Sequence, residues 1–235
     1  MRESILTIPV NEVFEPKKGC PICAMRNTIE QHICEYIMGA AMMEPDVRIE
    51  TNAAGFCREH FNGLLRQDNR LSLALMLDTR LQTLRSEVYE KKGIAFTPAA
   101  KLKKSAEAEQ TCFVCDKVNW GVSHTLETVF SLYKGDEGFR KLFSEQEYLC
   151  LPHYNLLVSK ASEKLPKKER AAFISACDEL IGSYIKSLND DVHEFCTSFD
   201  YRNAGKLHNE DMEHIRNSIE RAIEFLTSRK PEAKK

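Results

Sequence analysis

The residues here whose types and spacing could do chemistry are cysteines and histidines. Cys20-Pro21-Ile22-Cys23 and Cys112-Phe113-Val114-Cys115 are Cys-x-x-Cys pairs, while Cys57-Arg58-Glu59-His60 and Cys150-Leu151-Pro152-His153 are Cys-x-x-His pairs. Two ligands at this spacing converge on one ion. Three thiolates and one imidazole satisfy tetrahedral, d10 zinc and leave no position for water, which is the mark of a structural site. Each Cys-x-x-Cys is followed by a Cys-x-x-His at nearly the same distance. Pairing within each copy therefore predicts two zinc ions per chain, one on Cys20, Cys23, Cys57 and His60, the other on Cys112, Cys115, Cys150 and His153. An iron–sulfur centre or another metal is the second reading, and plain buried thiols are the third, because free cysteine is among the most buried residue types. A thiol oxidoreductase would need a strand before the motif and a free thiolate, and the sequence offers neither.

The matched spacing points to an internal duplication. Asn27 and Asn119, and His32 and His124, recur at equal offsets after their Cys-x-x-Cys pairs, and Arg48 and Arg140 sit at nearly equal distances before the third cysteine. The recurring histidines read first as helix-surface or core residues, with a partner-facing role or a place behind the metal ligands as the alternative. Cys34, Cys177 and Cys196 do not recur, and each falls in an apolar helical pattern, so they read as core packing.

The elements that position these motifs are helices. Ile29, Ile33, Tyr36, Ile37 and Ala40 follow the first pair at helical spacing, and Val122, Leu126, Val129, Phe130 and Tyr133 follow the second. A short helix is expected after His60 up to Asp68-Asn69, then a longer one through Leu73, Leu77, Leu81, Leu84 and Val88 to Gly93. After His153 a short helix should stop near Pro166. A long one then carries a continuous apolar stripe through Phe173, Cys177, Leu180, Tyr184, Leu188, Val192, Phe195 and Phe199, before a last helix with Met212, Ile215, Ile219, Ala222 and Leu226. Residues Ile5 to Phe14 alternate like a strand, but with no second strand to pair with they are expected to form an extended N-terminal arm. The fold class is thus all-α, two tandem helical zinc-binding repeats with long amphipathic helices. The division falls at a linker after Phe96-Thr97-Pro98, giving a first repeat with the arm at 1–97 and a second repeat with the long and last helices at 98–235.

Composition narrows the function. The 235 residues are 43% apolar and 29% charged, enough for a real core, and 33 Lys+Arg against 35 Asp+Glu argue against a broad nucleic-acid surface. Lysine clusters at Lys17-Lys18, Lys101 to Lys104 and Lys164 to Arg170 read as solvated charge. No run reaches the roughly 18 apolar residues of a membrane span, and the opening residues do not read as a signal peptide, so a cytoplasmic location is expected. There, nine cysteines suit metal rather than disulfides.

Thr7-Ile8-Pro9-Val10-Asn11-Glu12-Val13-Phe14, Cys20-Pro21-Ile22-Cys23, Pro45-Asp46-Val47-Arg48, Gly55-Phe56-Cys57-Arg58-Glu59-His60, Glu194-Phe195 and Asp200-Tyr201-Arg202 together resemble an uncharacterised, mainly Gram-positive bacterial family, a domain of unknown function. The resemblance spans essentially the whole chain and implies a helical protein with two copies of a cysteine motif, without an established activity or catalytic residues. The second copy departs from the pattern, with Phe113 in place of proline and no glycine before its third cysteine. Asp200-Tyr201-Arg202 reads as a structural lock at the end of the long helix. With no nucleophile, base and orienting group in view, the leading expectation is a non-enzymatic, zinc-stabilised scaffold or adaptor that binds a protein partner or itself. A redox-sensing or chaperone-like zinc protein is the alternative, and a hydrolase or transferase with an open zinc position comes third.

Overall fold

The computed structural model describes residues 5–90, 97–199 and 209–231, and among these it contains no strand. The elements are α1 (Ile8–Phe14), α2 (Pro21–Met38), α3 (Pro45–Ala54), α4 (Arg58–Leu65), α5 (Arg70–Leu84), α6 (Pro98–Gln110), α7 (Phe113–Gly135), α8 (Glu137–Ser144), α9 (Leu151–Lys164), α10 (Lys167–Ser198), α11 (Asn209–Arg216) and α12 (Ser218–Thr227). A 3-10 turn at Ala40–Met43 and a π turn at Arg85–Tyr89 link some of them. Helix starts follow local chemistry. Asn69, Thr97 and Asp136 accept bonds from the N–H groups of Ser72, Ala100 and Phe139, and proline opens α3 and α6, where its missing N–H costs nothing.

Two compact units form, one from Met1–Met25 with Ser123–Lys235 and the other from Arg26–Val122. This division differs from the one expected at 97/98. The first unit contains the N-terminal residues together with most of the second half of the sequence. Its core is aromatic: Phe14 lies 5.1 Å from Phe139 and 6.0 Å from Phe143 between ring centroids, and Phe143 and Tyr133 both pack on Phe173. A second aromatic group stacks Tyr148 on Tyr184 at 3.9 Å with Phe225 beside them. The second unit packs Ile37, Met38, Leu64, Leu73, Met76 and Val118 instead. There Arg48 reaches from α3 to α5, donating to the Leu75 carbonyl at 3.3 Å and to the Thr79 hydroxyl.

Four expectations need correction. The N-terminal arm is a helix, not an extended segment: Pro9 suits the first turn of α1, and Val10 and Phe14, one turn apart, are both fully buried. The supposed linker is α6, whose lysines, alanines and glutamates are good helix formers. The last helix breaks at Asn217 into α11 and α12. The stripe of α10 buries Phe173, Cys177, Leu180 and Leu188 but then leaves the core, so Phe199 is 77% exposed. Cys34 and Cys177 are buried as expected, whereas Cys196, on that outer stretch, is exposed. Gly93 and Asp200-Tyr201-Arg202 lie outside the described residues.

Truncating Phe14→Ala should remove the anchor of α1 and cost about 3–5 kcal/mol, as large aromatic-to-alanine changes in cores do. Phe199→Ala should cost less than about 1 kcal/mol. Thermal or urea unfolding followed by circular dichroism measures both, and equal effects would contradict the docking of α1.

Candidate metal centres

All eight expected ligands gather into two clusters, but not in the expected pairs. Cys20, Cys23, Cys150 and His153 form one set (site 1) and Cys57, His60, Cys112 and Cys115 the other (site 2), with the ligand atoms of each within 4.8 Å of one another. The Cys-x-x-Cys of each half of the sequence therefore meets the Cys-x-x-His of the other half. The two motifs of each copy are separated by helices of unequal length, 18 residues in α2 and 10 in α3, then 23 in α7 and 8 in α8.

One local geometry serves all four motifs. The carbonyls of Cys20, Cys57, Cys112 and Cys150 accept the first helical bonds, from the N–H groups of Ala24, Phe61, Asp116 and Tyr154 at 3.1, 2.9, 3.1 and 2.8 Å. The first ligand of each motif is thus the residue capping a helix, and the second lies three positions on, in the first turn. Cap and third helical residue face each other across that turn, as in a capping box. Each site therefore joins the positive ends of two helices, which favour thiolates over thiols.

The donor separations suit zinc. With bonds of about 2.3 Å to sulfur and 2.0–2.1 Å to nitrogen, a tetrahedral shell sets sulfurs about 3.8 Å apart and sulfur and nitrogen about 3.6 Å apart. In site 1 Cys23 Sγ is 3.6 Å from Cys150 Sγ, and His153 Nδ1 lies 3.6, 3.3 and 3.1 Å from the sulfurs of Cys20, Cys23 and Cys150. In site 2 Cys57 Sγ is 3.9 Å from Cys115 Sγ, and His60 Nδ1 lies 3.1, 3.3 and 3.4 Å from the sulfurs of Cys57, Cys112 and Cys115. Both histidines present Nδ1. The outer nitrogen of His60, Nε2, faces Glu30 Oε1 at 3.2 Å, the arrangement by which a carboxylate fixes the tautomer and orientation of a metal-binding imidazole.

The thiols within each set are held unequally. Burial would raise the Cys20 thiol, but hydrogen bonds with Cys150, Cys23 and His153 outweigh it and hold Cys20 well below the usual thiol range. Its neighbour Cys23 is pushed up, chiefly by its bonds to Cys150 and Cys20. Site 2 repeats the pattern. Cys112 falls to about 6 because its bond to His60 and those with Cys115 and Cys57 overcome burial, while burial and Cys112 raise Cys115. Against the same desolvation, Cys112 and Glu30 hold the His60 ring up at about 10. Each set stabilises one thiolate through its neighbours' protons, so ionising all three thiols together requires a positive ion among them.

The segments entering the sites are clasped. Near site 2 the Phe113 N–H donates to the Gly55 carbonyl at 2.9 Å and the Thr111 hydroxyl to the Ala54 carbonyl at 2.6 Å. Arg80 donates to the Asn52 and Ala53 carbonyls at 2.6 and 3.2 Å and to the Ala108 carbonyl at 3.2 Å, holding the ends of α3 and α6. Gly55 has φ +65°, and a Cβ there would meet the Arg80 guanidinium at 3.3 Å, so the turn into Cys57 needs glycine twice over. At site 1, Gly19 with φ +67° turns the chain into Cys20, and its N–H donates to Glu147 Oε2 at 2.6 Å, while Gln146 Nε2 donates to the Phe14 carbonyl at 2.8 Å.

The recurring His32 and His124 are exposed on helix surfaces and belong to neither ligand set. The basic clusters are partly neutralised: Lys17 pairs with Glu145, Lys103 with Glu107 and Lys164 with Glu127. Glu30 and Arg80 escaped sequence reasoning, because neither recurs in the second copy and each acts through contacts with chain about 30 positions away.

A helical chain carrying two Cys3His sets that could each hold a metal ion is the class this fold and these sites define. Residues 1–233 match the model of a family of unknown function, DUF6062, and the chain belongs to that family. Comparison with curated proteins and with solved structures finds no match.

The crossed pairing is open to a direct test by metal analysis of double variants. Cys20→Ser with His153→Ala should lose one ion, as either change alone would, whereas Cys20→Ser with His60→Ala should lose both. Within-copy pairing predicts the reverse. Glu30→Gln should weaken site 2 by about 10–100-fold in a chelator competition, the usual effect of removing such a partner, and leave site 1 unchanged.

Proposed function

We propose that this protein is a zinc-stabilised helical scaffold or adaptor, holding two structural zinc ions and binding a protein partner or a second copy of itself. The observation that carries this reading is the completeness of the two donor sets: each supplies three sulfurs and one imidazole at tetrahedral separations, so a bound zinc would have its shell filled by protein. A closed shell holds shape. Zinc, rather than a redox metal, is the ion whose coordination three thiolates and an imidazole satisfy best.

The binding role draws support from the surface. Ile219, Ile223 and Leu226 stand exposed at successive turns of α12, beside the buried Phe225 that anchors this helix. The shared cap-and-third-residue geometry of all four motifs is what duplication of an ancestral unit would produce. A reducing compartment such as the cytoplasm fits this reading, because it keeps the six cysteine ligands available to metal. No helix among the described residues is long and apolar enough to cross a membrane.

Purified protein is expected to contain two zinc ions per chain by mass spectrometry of the metal. Cys57→Ser leaves three protein ligands at site 2, so it should bind zinc more weakly and melt earlier, yet keep partner capture or self-association whenever metal is sufficient to keep it folded. Following circular dichroism and association together across a zinc titration checks this. Association lost while fold and both ions persist would refute the scaffold reading.

A further inference from the structure

The two metal centres differ in a way that their matching ligands conceal. All four ligands of site 1 are buried, whereas in site 2 Cys57 and Cys115 are only partly covered. These two open residues are also neighbours in space: their sulfurs lie 3.9 Å apart, and they come from different chain segments. Cys23 and Cys150 are closer still at 3.6 Å, but both are buried. A dissolved oxidant needs access to the sulfur it attacks. Of the two sets, only site 2 has cysteines that are not buried.

The surroundings of site 2 suit a reversible reaction. Cys57 caps α4 and Cys115 lies in the first turn of α7, so the two sulfurs approach from different helices. The segments bearing Cys57 and Cys115 are joined apart from any metal, through the Phe113 to Gly55 backbone bond, the Thr111 to Ala54 bond and the Arg80 clasp. These bonds hold the two segments together without a metal, and the two sulfurs lie 3.9 Å apart, against the roughly 2.05 Å of a disulfide.

We infer that site 2 is a peroxide-sensitive modification site in which oxidation joins Cys57 to Cys115 and releases its zinc, while site 1 keeps its own. The inference rests on the proposed zinc occupancy. A thiolate of the pair attacks one peroxide oxygen; the O–O bond breaks, and a sulfenic acid and hydroxide form. The second thiolate then attacks the sulfenic sulfur, the S–S bond forms and a second hydroxide departs. Two protons from solvent convert both hydroxides to water. The two sulfurs together lose two electrons, the peroxide gains them, and Zn2+, left with one thiolate and one imidazole, dissociates. A thiol reductant and zinc reverse the change.

The test uses the full-length, zinc-loaded chain, treated with graded hydrogen peroxide in the presence of a zinc-binding dye and then alkylated and digested without reduction. One of the two zinc equivalents should appear in the dye, accompanied by a Cys57–Cys115 cross-linked peptide, with Cys20, Cys23 and Cys150 recovered unoxidised. Dithiothreitol and added zinc should restore the second equivalent. Release of both ions together, release first from site 1, no release, or release with only a Cys112–Cys115 disulfide would each overturn the inference. Protein that takes up no zinc before any oxidant is added would defeat the underlying zinc reading instead, and this proposal with it.

Discussion

Everything local to the metal centres follows from one constraint: four cysteines cap four helices, and each centre must bring two of those caps together. A cap residue has an extended backbone and its side chain overhangs the first turn, so a ligand there and another three positions on point to the same side. That alone converts two short motifs into a chelating pair. Helix ends favour negative charge, and each pair reaches its site from such an end. What the chain still has to achieve is the meeting of two helix starts, and the clasps do this: backbone and hydroxyl donors with Arg80 at site 2, and the side chains of Gln146 and Glu147 at site 1.

Much of this was legible in the sequence. Membership of these sets is a matter of residue type and of a spacing set within one helical turn, so the eight residues that gather into the two candidate sites could all be named. The helices were legible for the same reason, since an apolar period of 3.6 is local. Partner choice is not. Which Cys-x-x-His meets which Cys-x-x-Cys depends on how far α2 and α7 carry the chain and where it turns back, and those distances do not appear in motif spacing. Equal spacing between motifs suggests closure within each half, but it looks the same when the halves exchange partners.

The other misreadings share a cause. Ile5 to Phe14 alternates, and a short alternating run is ambiguous; Val10 and Phe14 meet the core at a separation of four only because Pro9 opens a helix. The stripe of α10 is continuous in sequence, but among the described residues this helix of 32 residues outruns the elements that cover it, so Cys196 and Phe199 carry the pattern without its burial. Apolar periodicity says which face of a helix would be buried, and the length of neighbouring helices decides how much of that face is.

The crossed arrangement closes loops of unequal length, 127 positions from Cys23 to Cys150 at site 1 and 52 from His60 to Cys112 at site 2. The entropy of closing a loop grows only with the logarithm of its length, so the longer loop costs roughly 0.8 kcal/mol more. Zinc held by a site of this kind contributes on the order of 10 kcal/mol. Loop length is therefore a minor term. The properties that separate the two centres are local ones, namely burial of all four ligands at site 1 against partial exposure and a Glu30-supported histidine at site 2. Burial keeps solvent and oxidants from the first set. The second set leaves partly open two cysteines that different segments bring together, so two sets with identical ligand types differ in what can reach them.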